Sequence, residues 1–326
     1  MIYYLLILFA CILIAFQFSA NKIYQKNTSN NKSNVVLYPA IAGGFSLIIF
    51  VTYGLITGDF VSGFFASLKT LSFWLALALA LLNILSILLG VVTVKYGALA
   101  IYSVFMMLGS MIVTTVFGIA VWGESAGVLK ILGIIVLGVS IVLPVTGTGE
   151  KMNFKFTLLC ICAGLVNGFY TVVSVWHSKM IGTDKVTNVN SFMNWQYLLM
   201  AIICLTAFIV MKFILKTDVK EDACVEEDVD CKKSKVPFFK NLVFIMFFSA
   251  FMYAGSSGIG YLLQLIALEK LPATVVTPLV SGLAIVCSAG AGLLFFKEKP
   301  SLKSLIAIGV TIVGVTLIMI DGLLIV

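Results

Sequence analysis

Tyr253, Ser257, Tyr261 and Gln264 step by four, four and three through a stretch that is otherwise almost entirely apolar. On a helix this spacing puts two phenols, a hydroxyl and an amide on one face. A second set, Asn167, Tyr170, Thr171 and Ser174, steps by three, one and three through another apolar stretch. Gln17, Asn83, Ser86, Tyr102, Ser103, Thr277 and Ser281 are scattered through further apolar stretches, as are Asn194, Trp195, Gln196 and Ser256. In hydrocarbon such a group either bonds a neighbouring helix, worth about 0.6–2 kcal/mol, or lines a wet cavity. The chemistry they could perform is recognition by neutral dipoles and ring faces. Gln17, Asn83, Tyr102, Asn167, Tyr170, Tyr253, Ser257, Tyr261, Gln264 and Ser281 are therefore the candidate cavity residues.

No carboxylate or lysine stands in the middle of any apolar stretch. A central charge costs about 2.5–3.5 kcal/mol on insertion scales, so one would have marked a proton relay or an ion site. What remains suits a neutral or zwitterionic solute, or a cation held against Tyr and Trp faces. Glu124 and Glu298 stand at the ends of apolar stretches, each a few residues before the next one. There a carboxylate can stabilise the N-terminus of the following helix. The sole histidine, His177, is expected at a helix end as an ordinary interfacial residue. Gly255-Ser256-Ser257-Gly258 fits the short GxSG pattern of intramembrane serine proteases, but no histidine follows it to serve as base. The seven cysteines read as free thiols; Cys224 and Cys231 lack the close spacing of a metal site. No catalytic group, metal or cofactor is expected, and the chain does not read as an enzyme.

The elements that must position these residues are membrane-spanning helices. Of 326 residues 61% are hydrophobic and 11% charged, too little polar surface for a water-soluble globule. Ten segments reach the length of about 20 residues that a span requires: 2–20, 35–57, 71–94, 98–121, 127–147, 156–178, 191–214, 238–266, 273–296 and 302–325. Residues 59–69, with three phenylalanines, suit an interfacial helix. The polar segment 216–240 reads as a solvated loop.

The segments repeat. A shift of 174 residues lays Glu124 on Glu298 and Asn83 on Ser257; two more residues bring Gly133 and Gly138 onto Gly309 and Gly314. These glycines, with Gly282, Gly290 and Gly292, suit close helix contacts. Five spans per copy carry the chain across the bilayer, so the second copy inserts the other way. The expected fold is all-α integral membrane, ten transmembrane helices as two inverted five-helix repeats, with a midplane site between them. Loops on one side and their flanks hold 16 lysines, and those on the other hold Lys69, Lys130, Lys179, Lys185 and Lys270. The positive-inside rule then puts both termini outside.

The stretch ALEKLPATVVTPLVSGLAIVCSAGAGLLFFKEKPS, residues 267–301, resembles the second-repeat signature of the drug/metabolite transporter superfamily, EamA-like branch. The likeness covers nearly the whole chain and is weaker at 95–145, where Gly97-Ala98 stands in for Leu271-Pro272. It implies a first repeat at 1–147, a linker at 148–155 and a second repeat at 156–326. It also implies a multi-pass carrier of small metabolites in the cell membrane, although the family is often drawn with both termini inside. The partners expected are a small-molecule substrate and the lipid bilayer, with a homodimer allowed and no nucleic acid. A carrier of phosphorylated compounds or nucleotide sugars is the alternative, with Lys95 and Lys270 as its anion clamp.

Overall fold

The computed structural model describes residues 2–28, 32–58, 60–94, 96, 99–124, 127–143, 154–214, 242–296 and 302–324. Lys95, Glu298, Cys224, Cys231, residues 144–153 of the junction and the segment 216–240 lie outside these ranges, as does the Ser103 side chain.

Among the described residues there are eleven helices and no strand: α1 (Ile2–Thr28), α2 (Lys32–Thr57), α3 (Phe60–Ser67), α4 (Leu71–Val94), α5 (Leu99–Ala120), α6 (Val128–Val142), α7 (Phe154–Met180), α8 (Val189–Ile209), α9 (Leu242–Leu268), α10 (Ala273–Phe296) and α11 (Leu302–Leu324). A chain this apolar has no water in hydrocarbon to satisfy its amides, and helices satisfy them internally. Stretches of α2, α4, α7, α8 and α9 are long and apolar enough to cross a membrane, and α1, α5, α6, α10 and α11 carry shorter apolar stretches. The chain is a multi-pass membrane protein.

Several helix boundaries differ from expectation by a few residues, as at the ends of α2, α7, α8 and α9, and two differences bear on the expectations above. Asn21 and Lys22 end the apolar run of α1, yet the helix continues to Thr28, because a helix leaving the bilayer need not stop there. This adds Tyr24, which is buried and stacks on Tyr38 at 4.0 Å. The helix α7 begins at Phe154, inside the expected linker 148–155. The short helix α3 is fastened to α8: Phe64 stacks on Trp195 at 4.3 Å, and Trp195 Nε1 donates to the Phe64 carbonyl at 2.9 Å. Asn188 caps α8, its side chain accepting from the Ser191 amide at 2.9 Å.

The long helices pack in a definite set of pairs. The helix α1 lies against α9 and α10, and α2 against α8 and α9. The helix α4 lies against α7 and α8, α5 against α7 and α10, and α6 against α11. The α6–α11 contact is made at backbone level. A Cβ on Gly133 would run into Ile318 and the Gly314 carbonyl, so only glycine lets the two helices approach this closely. Gly290 and Gly309 face open space instead, and close packing does not explain them.

Candidate functional site

A cavity of about 150 Å³ lies among α1, α2, α4, α5, α7, α9 and α10, with room for roughly ten water molecules. The polar stripe of α9 faces it whole, with Tyr253, Ser257, Tyr261 and Gln264 in the wall. Gln17 comes from α1, Asn83 from α4, Tyr102 from α5, Asn167 and Tyr170 from α7, and Ser281 from α10. Every candidate cavity residue named from the sequence thus lines one space. Ser86, Thr171 and Thr277 join them; Asn194, Trp195, Gln196, Ser174 and Ser256 do not. Asn194 donates to the Asn190 carbonyl at 2.9 Å, and Ser256 donates to the Met252 carbonyl at 2.6 Å.

The wall sets neutral polar groups among apolar side chains and, among the described residues, carries no charged side chain. Many of its groups have one hand on a neighbour. Asn167 Nδ2 donates to the Met106 carbonyl at 3.0 Å, Asn83 Nδ2 to Met200 Sδ at 3.4 Å and the Tyr102 hydroxyl to the Ser86 carbonyl at 3.3 Å. Gln196 Nε2 donates to the Tyr170 hydroxyl at 3.2 Å, and the Ser174 and Tyr261 hydroxyls share a hydrogen bond. These bonds orient the side chains and leave the amide oxygens of Asn83 and Asn167 as acceptors. The Thr277 hydroxyl is buried without a protein partner. The sequence reading missed Tyr24 and Tyr38, which bring the tyrosines in the wall to six.

Charge is gathered at one end of the bundle, where Glu124 departs from expectation. It does not cap α6, the helix that follows it. Gly123, with φ of 63°, turns the chain, and the carboxylate reaches across to α10. Its Oε1 accepts from the Ala273 amide at 3.0 Å and its Oε2 from the Thr274 amide at 2.8 Å. Lys179, at the end of α7, pairs with it at 2.6 Å. Pro272 has no N–H, so these are the first amides of α10, and a carboxylate at a helix N-terminus is favourable. Burial alone would raise the Glu124 carboxyl. The Lys179 ammonium, the Thr274 amide and side chain and the Ala273 amide outweigh it and hold the carboxyl below its ordinary value.

The N-terminus of α6 receives Asp321 instead, whose carboxylate lies against Gly127. Asp321 Oδ2 is 3.9 Å from Lys130 Nζ, and Lys130 donates to the Thr274 hydroxyl at 3.4 Å. Both charges are buried; Lys130, counted among the loop lysines from the sequence, lies in the first turn of α6, and Asp321 was not singled out. The signal was an aspartate in the last turn of an apolar run. His177, in the last turn of α7, is fully buried among the helices. Its Nε2 is 3.0 Å from Ser72 Oγ and its ring stacks on Phe192 at 3.9 Å.

The model of the EamA-like transporter family matches residues 155–320 of this chain. No curated protein matches it. A solved crystal structure superposes with a TM-score of 0.68 over 97% of this chain and 96% of its own, at 13% sequence identity, a likeness of fold alone.

Proposed function

Because the chain belongs to the EamA-like transporter family, we propose that it is a secondary transporter working by alternating access. It carries a small neutral, zwitterionic or aromatic-caged cationic metabolite across the cytoplasmic membrane, and its ten long helices are two inverted repeats of five. The observation that carries this reading is the cavity: lined by neutral polar groups among apolar side chains, without a charged one among the described residues, and walled by helices from both halves of the chain. The packing supports the repeat. Exchanging α1 with α7, α2 with α8, α4 with α9, α5 with α10 and α6 with α11 turns the α1–α9 pair into α7–α4. It likewise turns α1–α10 into α7–α5 and α2–α9 into α8–α4, while α2–α8, α5–α10 and α6–α11 map onto themselves. A two-fold arrangement of that kind puts the shared cavity where the halves meet, as a rocking mechanism requires.

The competing readings draw less support. A clamp for phosphorylated solutes needs cations in the wall, and Lys270 is exposed at the α9–α10 turn rather than in the cavity. A serine protease would need His177 beside Ser257, whereas its Nε2 faces Ser72.

The test is a melting-temperature screen of the detergent-solubilised protein against amino acids, nucleobases, sugars and quaternary amines. A solute that binds only the folded form stabilises it by about 2.7 kcal/mol at a hundred times its Kd. The solute found should then be taken up by liposomes holding the protein. Absence of both binding and uptake across the panel would sink the reading, and competition by inorganic phosphate would favour the phosphorylated class.

A further inference from the structure

The cavity runs toward the α9–α10 turn as far as Gln264 and Thr277. About one turn beyond, the Glu124 carboxylate bridges Ala273 and Thr274 to Lys179. Past that bridge opens a separate surface crevice of about 400 Å³, whose wall includes Glu124, Ser178, Lys179, Leu268 and Leu271. The Glu124 carboxylate, which joins α7, α10 and the turn after α5, thus stands in the wall of the outer crevice, about one helical turn from the last α10 residue of the inner cavity.

We propose that Glu124, Lys179 and the first turn of α10 form the gate at this end of the cavity, and that the gate opens as Glu124 exchanges these partners for a proton. The proposal rests on the transport reading. For a solute to pass, the start of α10 must part from the α5–α6 turn and from the end of α7. That movement strips the carboxylate of two amide donors and one ammonium while leaving it partly shielded from water, and an unpaired, half-buried carboxylate favours its neutral form. The proton comes from solvent on the crevice side, Glu124 becomes the carboxylic acid, and Lys179 stays an ammonium. The other charges facing the site are Lys130 from α6, which holds the Thr274 hydroxyl, Asp321 from α11 behind it, and Glu269 and Lys270 from the α9–α10 turn. Since the open and closed gates bind the proton differently, acid must favour opening. The opening equilibrium rises about tenfold per pH unit between the Glu124 pKa values of the open and closed forms, and levels off outside that window.

The experiment uses the full chain in membrane vesicles, with its native cysteines replaced and one reporter, Ser281→Cys, in the cavity wall. A membrane-impermeant methanethiosulfonate is applied from each side in turn. Its rate at each pH is divided by the rate at Thr183→Cys, which is exposed in the α7–α8 turn, to remove the pH dependence of the thiol. From the crevice side, labelling should accelerate as pH falls. Glu124→Gln should label at least tenfold faster at pH 7.5 and lose the pH dependence. Glu124→Asp should restore part of it, and Lys179→Met should speed labelling while flattening the profile. Labelling of Glu124→Gln at the parent rate, or with the parent pH profile, would overturn the gate.

A second readout needs no substitution: hydrogen exchange of the Ala273 and Thr274 amides in the native chain, corrected for intrinsic rate. Protection should fall with acid, and protection indifferent to pH would also overturn the proposal. The solute screen keeps the two readings apart. A chain that gates but binds nothing loses the transport reading, and one that binds a solute but does not gate loses only this proposal.

Discussion

The cavity and the charged end of the bundle share α7 and α10 and are built by opposite means. In the cavity each polar group is neutral and many are tied to a neighbouring helix, as Asn167 is to Met106 and Tyr170 to Gln196. At the end, Glu124, Lys179, Lys130 and Asp321 bring full charges together around the first turns of α10 and α6. The contrast follows from what each place can compensate. A helix terminus offers free amides and a partial positive charge, so a carboxylate is stabilised there. The middle of a span offers neither, and recognition falls to dipoles and rings. At this end charge holds helices to one another, whereas in the cavity neutral groups both tie helices and face the space between them.

Removing one half of a buried ion pair should therefore have the largest effect. Asp321→Ala takes from Lys130 the carboxylate it faces, and breaking such a pair costs about 3–5 kcal/mol. The melting temperature in detergent should drop sharply. Lys130→Met with Asp321→Leu should recover most of the loss, because two apolar side chains incur no desolvation penalty. A single variant as stable as its parent would mean that the pair does not hold α6 to α11.

The converse change puts a charge where the protein has none. Asn83 sits midway along α4, buried, with its amide on Met200 Sδ. Asn83→Asp should reduce stability by about 2.5–3.5 kcal/mol, as read by melting temperature and yield. It should also tilt solute preference in the melting screen toward cations. A neutral outcome would show that the cavity already holds enough water to solvate a carboxylate.

The two regions were unequally legible in the sequence. A polar residue inside an apolar run announces itself, and helical spacing says which of them share a face. That is why Tyr253, Ser257, Tyr261 and Gln264, and the residues named with them, line one space. Tyr24 escaped because hydropathy marks where the apolar run ends rather than where the helix ends. The charged network escaped for a different reason. Glu124 was recognisable as a helix-end carboxylate, but the helix it caps lies about 150 residues further along the chain, and only tertiary packing chooses between that helix and the next one. Asp321 and Lys130 are separated further still, and each alone looks like a charge at a span end that reaches for water.

Next in size is the acid response of Glu124. Its carboxyl lies below the ordinary value in the folded protein. The stabilisation it provides is therefore complete above the unfolded carboxylate value and is lost as pH falls through the lower, folded one. Hydrogen bonds to a charged group are worth about 1.5–3 kcal/mol, and Lys179, about a third exposed, adds less because water screens it. The melting temperature of the native chain should fall in that acid window, while that of Glu124→Gln should start lower and fall less. Parallel curves would assign the acid response to another group and weaken the contrast between the two regions.

The smallest expected effect sharpens the comparison most. Tyr170→Phe keeps the ring that packs 5.2 Å from that of Tyr261 and removes only the hydroxyl to which Gln196 donates. Interhelical bonds of this kind average about 0.6 kcal/mol in membranes, with a maximum near 1.7, so the melting temperature should move by a degree or two. If the hydroxyl serves packing alone, the stabilisation by a bound solute is unchanged. If the wall recognises the solute, the variant keeps its fold while the solute-induced shift shrinks, because a buried donor or acceptor on the solute is then left unpaired. A larger loss in the solute shift than in the unliganded melting temperature is the expected result, and the reverse ordering would make Tyr170 part of the scaffold.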